Sequence, residues 1–253
     1  MSDLETQLNE LGRILRGGQR VAVLTGAGIS AESGIPTFRD KNGLWKQYRA
    51  EELATPQAFY RDPGLVWEWY DWRRGIIASK EPHAGHRVLA RWERIMPHFV
   101  LITQNIDGLH RRAGSQNVLE LHGNIWEVRC TREGTIGQNH EFPLKSKPPV
   151  CPACGSIVRP NVVWFGEALP AETLEEAYAA SASCDIMFVI GTSAFVQPAA
   201  SLPLLAVQRG ATIVEVNPEP TPLTPSADFV FQAKAGELLP LIDERLPAGP
   251  AAP

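Results

Sequence analysis

The chain has 253 residues, which at roughly 150 residues per domain is about 1.7 domains: one large domain with insertions, or a domain and a half. Hydrophobic residues make up 44% and charged residues 21%, which excludes intrinsic disorder, a collagen repeat and a disulfide-stapled miniprotein. A net charge of −4 gives no general pull toward nucleic acid or an anionic membrane, and the longest apolar runs fall short of the ~20 residues of a transmembrane helix.

Leu4, Leu8, Leu11 and Leu15 share one helix face, and Gly17-Gly18 stop that helix. The segment is acidic and amphipathic and lacks the layout of a secretory signal, so a cytoplasmic protein is expected. Four near-continuous apolar runs follow: residues 20–25, 99–103, 186–190 and 212–216. Such runs suit strands covered on both faces. Helical patterns lie between and after them at about 84–96, 171–182, 197–208 and 236–245. The alternation predicts an α/β fold with a doubly wound, Rossmann-like parallel sheet.

Two segments interrupt the alternation. Residues 40–80 carry Trp45, Trp67, Trp69 and Trp72 and read as a helical insertion. Residues 126–162 are polar, contain Pro148-Pro149 and Pro152, and hold three spaced cysteines; they read as a small loop-rich module. The expected organisation is a Rossmann-like domain from 1–39, 81–125 and 163–253, with 40–80 and 126–162 forming a smaller lobe. The Pro/Ala-rich tail from Pro247 is expected to be disordered.

Each strand-like run ends in small or polar residues. Ligands of open parallel sheets bind at the carboxyl ends of the strands, so Gly26–Ser30, Gln104–Asp107, Gly191–Ser193 and Asn217–Glu219 are expected to converge on one crevice. Gly26, Gly28 and Ala31 form a G-x-G-x-x-A pattern, which serves either a tight strand-to-helix turn or the close approach of a pyrophosphate to backbone. A dehydrogenase fingerprint would run on into a long helix with an acid about 20 residues later. Here Gly34, Pro36 and Phe38-Arg39-Asp40 break the helix early, which argues against hydride transfer. Gln104, Asn105 and Asp107 emerge together, as a polar turn or as partners for a carboxamide ligand. His122, between an apolar stretch and Gly123, is either a structural histidine or a general base.

Taken in order, GAGIS, SGIPTFRD, TQNIDGLH, LHG, VVWFGE, GTS and VN with TPLT resemble the sirtuin family over about residues 20–240. The resemblance implies an NAD-dependent protein-lysine deacylase that yields nicotinamide, O-acyl-ADP-ribose and free lysine. It implies NAD contacts from Gly26, Ala27, Gly28, Ile29, Ser30, Glu32, Thr37, Phe38, Arg39 and Trp45 of the first loop. Gln104, Asn105, Ile106 and Asp107 would line the nicotinamide and ribose pocket. Gly191, Thr192, Ser193, Asn217, Pro218, Glu219 and Ala235 would hold the adenosine end. His122 would be the general base and Asn105 would position the ribose and a water. An acylated-lysine peptide would add as a strand to Val163, Trp164, Phe165, Gly166 and Glu167. No nucleic acid or membrane partner is implied, and a monomer is the default expectation.

Tyr70 and Arg73 are three apart and share a helix face. A hydroxyl beside a guanidinium suits the carboxylate at the end of an acyl chain. With Ala54, the pair resembles the bacterial and mitochondrial sirtuin branch that removes succinyl and malonyl groups; deacetylation is expected as well. A surface arginine over an aromatic ring is the alternative. Cys130, Cys151 and Cys154 resemble the sirtuin zinc site, but the position expected to complete the first pair is Glu133. Glu133 or His140 could supply a fourth ligand to a structural zinc, or the module is metal-free and packs around Trp126 and the prolines. Cys184 reads as a buried apolar thiol. A sirtuin-fold ADP-ribosyltransferase and a non-catalytic NAD or ADP-ribose sensor are the competing functions.

Overall fold

The computed structural model describes residues 3–37 and 48–247. Phe38, Arg39 and Trp45, and the tail from Ala248, lie outside the described residues.

The chain opens with α1 (Asp3–Leu15), β1 (Val21–Thr25) and the five-residue α2 (Ala27–Ala31). Three helices follow: α3 (Ala50–Leu53), α4 (Pro56–Arg61) and α5 (Pro63–Ala78). Next come α6 (Ala84–Ile95), β2 (Phe99–Thr103), α7 (Leu109–Arg112) and β3 (Val118–Glu120). β4 (Gly123–Cys130), β5 (Ile136–Gln138) and β6 (Val158–Val162) lead to α8 (Ala171–Ser183) and β7 (Ile186–Ile190). The chain closes with α9 (Ser201–Gln208), β8 (Thr212–Val216), β9 (Phe229–Phe231) and α10 (Ala235–Asp243).

The main sheet among the described residues has six strands in the order β3-β2-β1-β7-β8-β9, and every pairing is parallel. The expected α/β fold is present. The alternation of side chains along each strand supplies two cores. Val21, Val23, Leu101, Phe188 and Ile190 face α1, α6 and α10 in one cluster. Ala22, Leu24, Ile102, Met187 and Val189 face α8 and α9 in another, which also holds the buried Cys184. The strand order reverses direction at β1, so a crevice opens at the carboxyl ends of β1, β2 and β7.

A third cluster unites the helical insertion with a three-stranded antiparallel sheet, β5-β4-β6. Leu53, Phe59, Trp67, Trp69 and Tyr70 pack there with Ile125, Val158 and Trp164. Arg74 pins the two parts together. It is fully buried, stacks on Trp67 and Trp126, and donates to the Ile125 carbonyl and to Asn139 Oδ1 at 2.7 Å each.

Some elements differ from expectation. The helix expected at 197–208 begins at Ser201. β3 and β9 are three-residue strands, too short to show alternation. The module expected to be loop-rich contains the three-stranded sheet, and β4 runs through the boundary drawn at 125/126. Among the described residues, no helix is long and apolar enough to cross a membrane.

Candidate functional site

The crevice floor is built by two strand ends in contact. A Cβ on Gly28 would lie 2.7 Å from the backbone of Gly191, and the Gly28 N–H donates to the Gly191 carbonyl at 2.7 Å. The Gly26 N–H donates to Ile190 O and the Ile29 N–H to Gly26 O. These glycines are therefore required by the packing of the β1 loop on the β7 loop. Of the two explanations of the G-x-G pattern, the tight turn is the one these contacts bear on, and the Gly28 amide serves it. The early break after α2 is observed, with Gly34 at φ 82°.

Asn105 leaves β2 into this floor. Its Nδ2 donates to Gly26 O and to Ser30 Oγ, each at 2.9 Å. Both amide hydrogens are thereby engaged, which orients Oδ1 away from those partners. Ser30 Oγ donates to Asp107 Oδ2 at 2.7 Å, and Asp107 Oδ1 accepts from the Leu109 N–H at 2.8 Å. Burial pushes the Asp107 carboxyl up, opposed by the Leu109 N–H, the Ser30 hydroxyl and the Arg73 charge. Gln104 Nε2 donates to Thr192 Oγ1 at 3.0 Å, tying β2 to β7 across β1. Ile106 packs against the small-lobe core.

His122 sits between β3 and β4, half-buried. Its Nδ1 lies 2.8 Å from the Gln104 carbonyl. A carbonyl only accepts, so Nδ1 carries the proton and Nε2 keeps its lone pair. Burial holds the imidazole pKa below its ordinary 6.5, against a smaller raising effect of the Gln104 carbonyl. A neutral imidazole with a free Nε2 has the state required of a base. Gly123, at φ 76°, has no room for a Cβ, which would fall 2.1 Å from Asn161 O. That explains the glycine after His122.

Tyr70 and Arg73, expected at the acyl end, lie on α5. Tyr70 is fully buried, and its hydroxyl accepts from Trp164 Nε1 at 2.9 Å. Arg73 lies over Trp69, and its charge acts on Tyr70 and Asp107. Ala54 is buried at the end of α3, and its carbonyl accepts the Phe165 N–H at 2.9 Å. Val163 donates to the His122 carbonyl at 2.9 Å. Thus Ala54, Tyr70, Trp164 and His122 are linked through one segment. Val163–Glu167 is not itself a strand. Trp164 donates its N–H to Glu167 Oε2 and Glu167 donates its N–H to the Trp164 carbonyl. The segment's N–H groups are thus largely engaged, so an added strand would have to rely on carbonyls and the Gly166 N–H.

The other expected contact residues have these surroundings. Glu32 caps α10, with its carboxylate accepting from Ala235 and Gly236 at 2.7 and 2.9 Å. Ala235 is buried. Asn217 donates to the Glu219 carbonyl, and Pro218 and Glu219 are exposed. Ser193 and Thr37 are half-buried at the crevice. The TPLT motif turns out to serve Glu215, a buried carboxylate in β8 that accepts from the Thr221 and Thr224 hydroxyls.

The sequence reading missed a line of histidines behind the crevice, of which His86 and His110 are buried and His83 half-buried. His110 Nε2 lies 2.9 Å from Thr25 Oγ1, His86 packs on His110, and His83 Nε2 donates to the Ile29 carbonyl at 2.7 Å. Burial lowers His86 to about 2 and His110 to about 3, so both are neutral near pH 7. The spacing His83-x-x-His86 at a helix start was the available signal.

In the small lobe, Cys130, Glu133, Cys151 and Cys154 offer ligand atoms all within 4.8 Å of one another. Two similar turns hold them. Gly134 N–H donates to Cys130 O and Gly155 N–H to Cys151 O, and each glycine has φ 71°. A tetrahedral zinc with bonds of about 2.0–2.3 Å fits this spacing. His140 instead stacks on Trp126. Cys130, Glu133, Cys151 and Cys154 would hold the ion, whose contribution there is structural.

The Sir2 family profile matches residues 26–198. An NAD-dependent protein deacylase of Aquifex aeolicus is 56% identical over 215 residues, covering 85% of this chain and 90% of that protein. NAD-dependent protein deacylase 1 of Caldanaerobacter subterraneus subsp. tengcongensis is 58% identical over 223 residues, covering 88% and 92%. A crystal structure of a Sir2 homologue–NAD complex matches with a TM-score of 0.87 at 48% identity, covering 95% of this chain and 93% of that one. A Sir2 variant with a deacetylated p53 peptide and an acetyl-ADP-ribose matches at a TM-score of 0.82 and 35% identity, covering 94% and 97%. Fold, crevice and these likenesses agree: the chain belongs to the Sir2 family of NAD-dependent protein deacylases.

Proposed function

We propose that this NAD-dependent protein deacylase removes succinyl and malonyl groups from lysine, and acetyl groups as well. The observation that carries the acyl assignment is the Tyr70–Arg73 pair on one face of α5, with the Tyr70 hydroxyl held by Trp164 beside the His122 segment. A phenol proton and a guanidinium offer a terminal carboxylate both hydrogen bonds and charge. The small side chain of Ala54 suits a longer acyl chain.

The acyl oxygen displaces nicotinamide from the NAD ribose, a ribose hydroxyl attacks the acyl carbon, and water completes release of lysine and O-acyl-ADP-ribose. His122 Nε2 takes the proton of the attacking hydroxyl. Asn105, oriented by Gly26 O and Ser30, presents Oδ1 to the ribose or a water. Gln104 and Asp107 line the nicotinamide end, and Gly191–Ser193 with Asn217–Glu219 bound the adenosine end. A relative with a bound deacetylated peptide supports an acyl-lysine peptide as the partner. On this reading 1–39, 81–125 and 163–253 form the NAD-binding domain, and 40–80 with 126–162 the substrate-facing lobe. The cytoplasm remains the proposed compartment.

Arg73→Met removes a charge-assisted contact, so the succinyl-to-acetyl ratio of kcat/KM should fall about 30- to 100-fold. Steady-state kinetics on matched peptides measures it. An unchanged ratio would remove the acyl assignment while leaving the deacylase assignment intact.

A further inference from the structure

Trp164 is buried between two groups that fix its ring. The Arg159 guanidinium lies 3.5 Å from the ring centroid on one side, and Phe59 packs at 5.2 Å. Arg159 is itself held by a two-point pair with Glu167 at 2.6 and 2.8 Å and by the Val162 carbonyl at 2.9 Å. With the ring immobilised, Nε1–H points at the Tyr70 hydroxyl, 2.9 Å away.

A phenol oxygen has one proton to donate and can accept elsewhere. Once the oxygen accepts from an indole N–H, its proton cannot point back along that line and must go to another acceptor. Accepting also polarises the O–H and strengthens it as a donor. The cation on the indole face acts in the same sense, making the N–H a better donor. From these contacts we infer that Trp164 is a specificity-determining positioning residue: its indole N–H directs the Tyr70 proton toward the acyl chain's terminal carboxylate. The inference rests on the acyl reading above and extends it to the chain Glu167–Arg159–Trp164–Tyr70. An acetyl group has no carboxylate to receive that proton, so the device bears on acyl choice and not on NAD cleavage.

The test is a double-mutant cycle between Trp164→Phe and Tyr70→Phe, with Arg73→Met as reference, on succinyl- and acetyl-lysine peptides. Phe keeps an aromatic ring between Arg159 and Phe59 while deleting the donor. Trp164→Phe should lower the succinyl-to-acetyl ratio of kcat/KM about 5- to 10-fold, as expected for loss of one buried hydrogen bond, with the change in the succinyl KM. In the Tyr70→Phe background it should lower that ratio no further. A ratio unchanged in Trp164→Phe, or effects that multiply in the double variant, would overturn the inference. If Arg73→Met and Tyr70→Phe also leave the ratio unchanged, the acyl reading falls with it; if they lower it, only the Trp164 role is lost. Thermal melts monitor folding of each variant. Should Phe at 164 not fold, benzothienylalanine, which has the indole's shape without its N–H, carries the same expectations.

Discussion

His122 can act only through the nitrogen that its neighbours leave open. Nδ1 donates to the Gln104 carbonyl, so Nε2 is the nitrogen that keeps a lone pair. For the base proposed above the neutral form is the active one, and burial holds its pKa below 6.5. The acid limb of the activity profile should therefore be centred below the ordinary histidine value of 6.5. A kcat/KM profile measures this, and an acid limb centred above pH 7 would contradict the assignment. The position of His122 beside the crevice was legible because its motif stands in order with the others, but its tautomer was not. That depends on a carbonyl 18 residues away in sequence, which only the fold brings near. Gly28 shows the reverse case. Its position was legible and its reason was not, since the atoms that exclude a Cβ belong to Gly191.

At the scale of elements, the small lobe is two turns and a sheet that need one another. Cys130-Thr131-Arg132-Glu133-Gly134 and Cys151-Pro152-Ala153-Cys154-Gly155 fold alike, each ending in a glycine at φ 71°. The repeat C-x-x-[E/C]-G was present in the sequence and selects Glu133 over His140 as the fourth ligand. Protein purified without added metal should hold about one zinc per chain by elemental analysis. Glu133 is exposed, so Glu133→Ala should speed zinc loss to a chelator and lower Tm, while Glu133→Cys should slow it. A zinc ratio near zero in the wild type would contradict the site. β3 and β9 were not legible because three residues carry no usable period, and their identity as strands comes from pairing with β2 and β8.

At the scale of the molecule, three apolar clusters among the described residues account for the organisation: two clothe the faces of one parallel sheet, and the third joins the helical insertion to the antiparallel sheet. The central strands were legible because they are buried on both faces and read as unbroken apolar runs. Arg74 was not, since a charged residue in an aromatic helix reads as a surface position until the Ile125 carbonyl and two indoles are seen around it. The parallel sheet and the helical insertion are joined through the His122 and Val163–Glu167 segments, which hydrogen-bond to Ala54 and Tyr70. The most direct measurement is mass spectrometry of the protein incubated with NAD and equal amounts of succinyl- and acetyl-lysine peptide. The account predicts nicotinamide and free lysine peptide in amounts equal to the sum of O-succinyl- and O-acetyl-ADP-ribose, with the succinyl peptide consumed alongside or ahead of the acetyl one. Consumption of the acetyl peptide alone, or nicotinamide without any O-acyl-ADP-ribose, would contradict it.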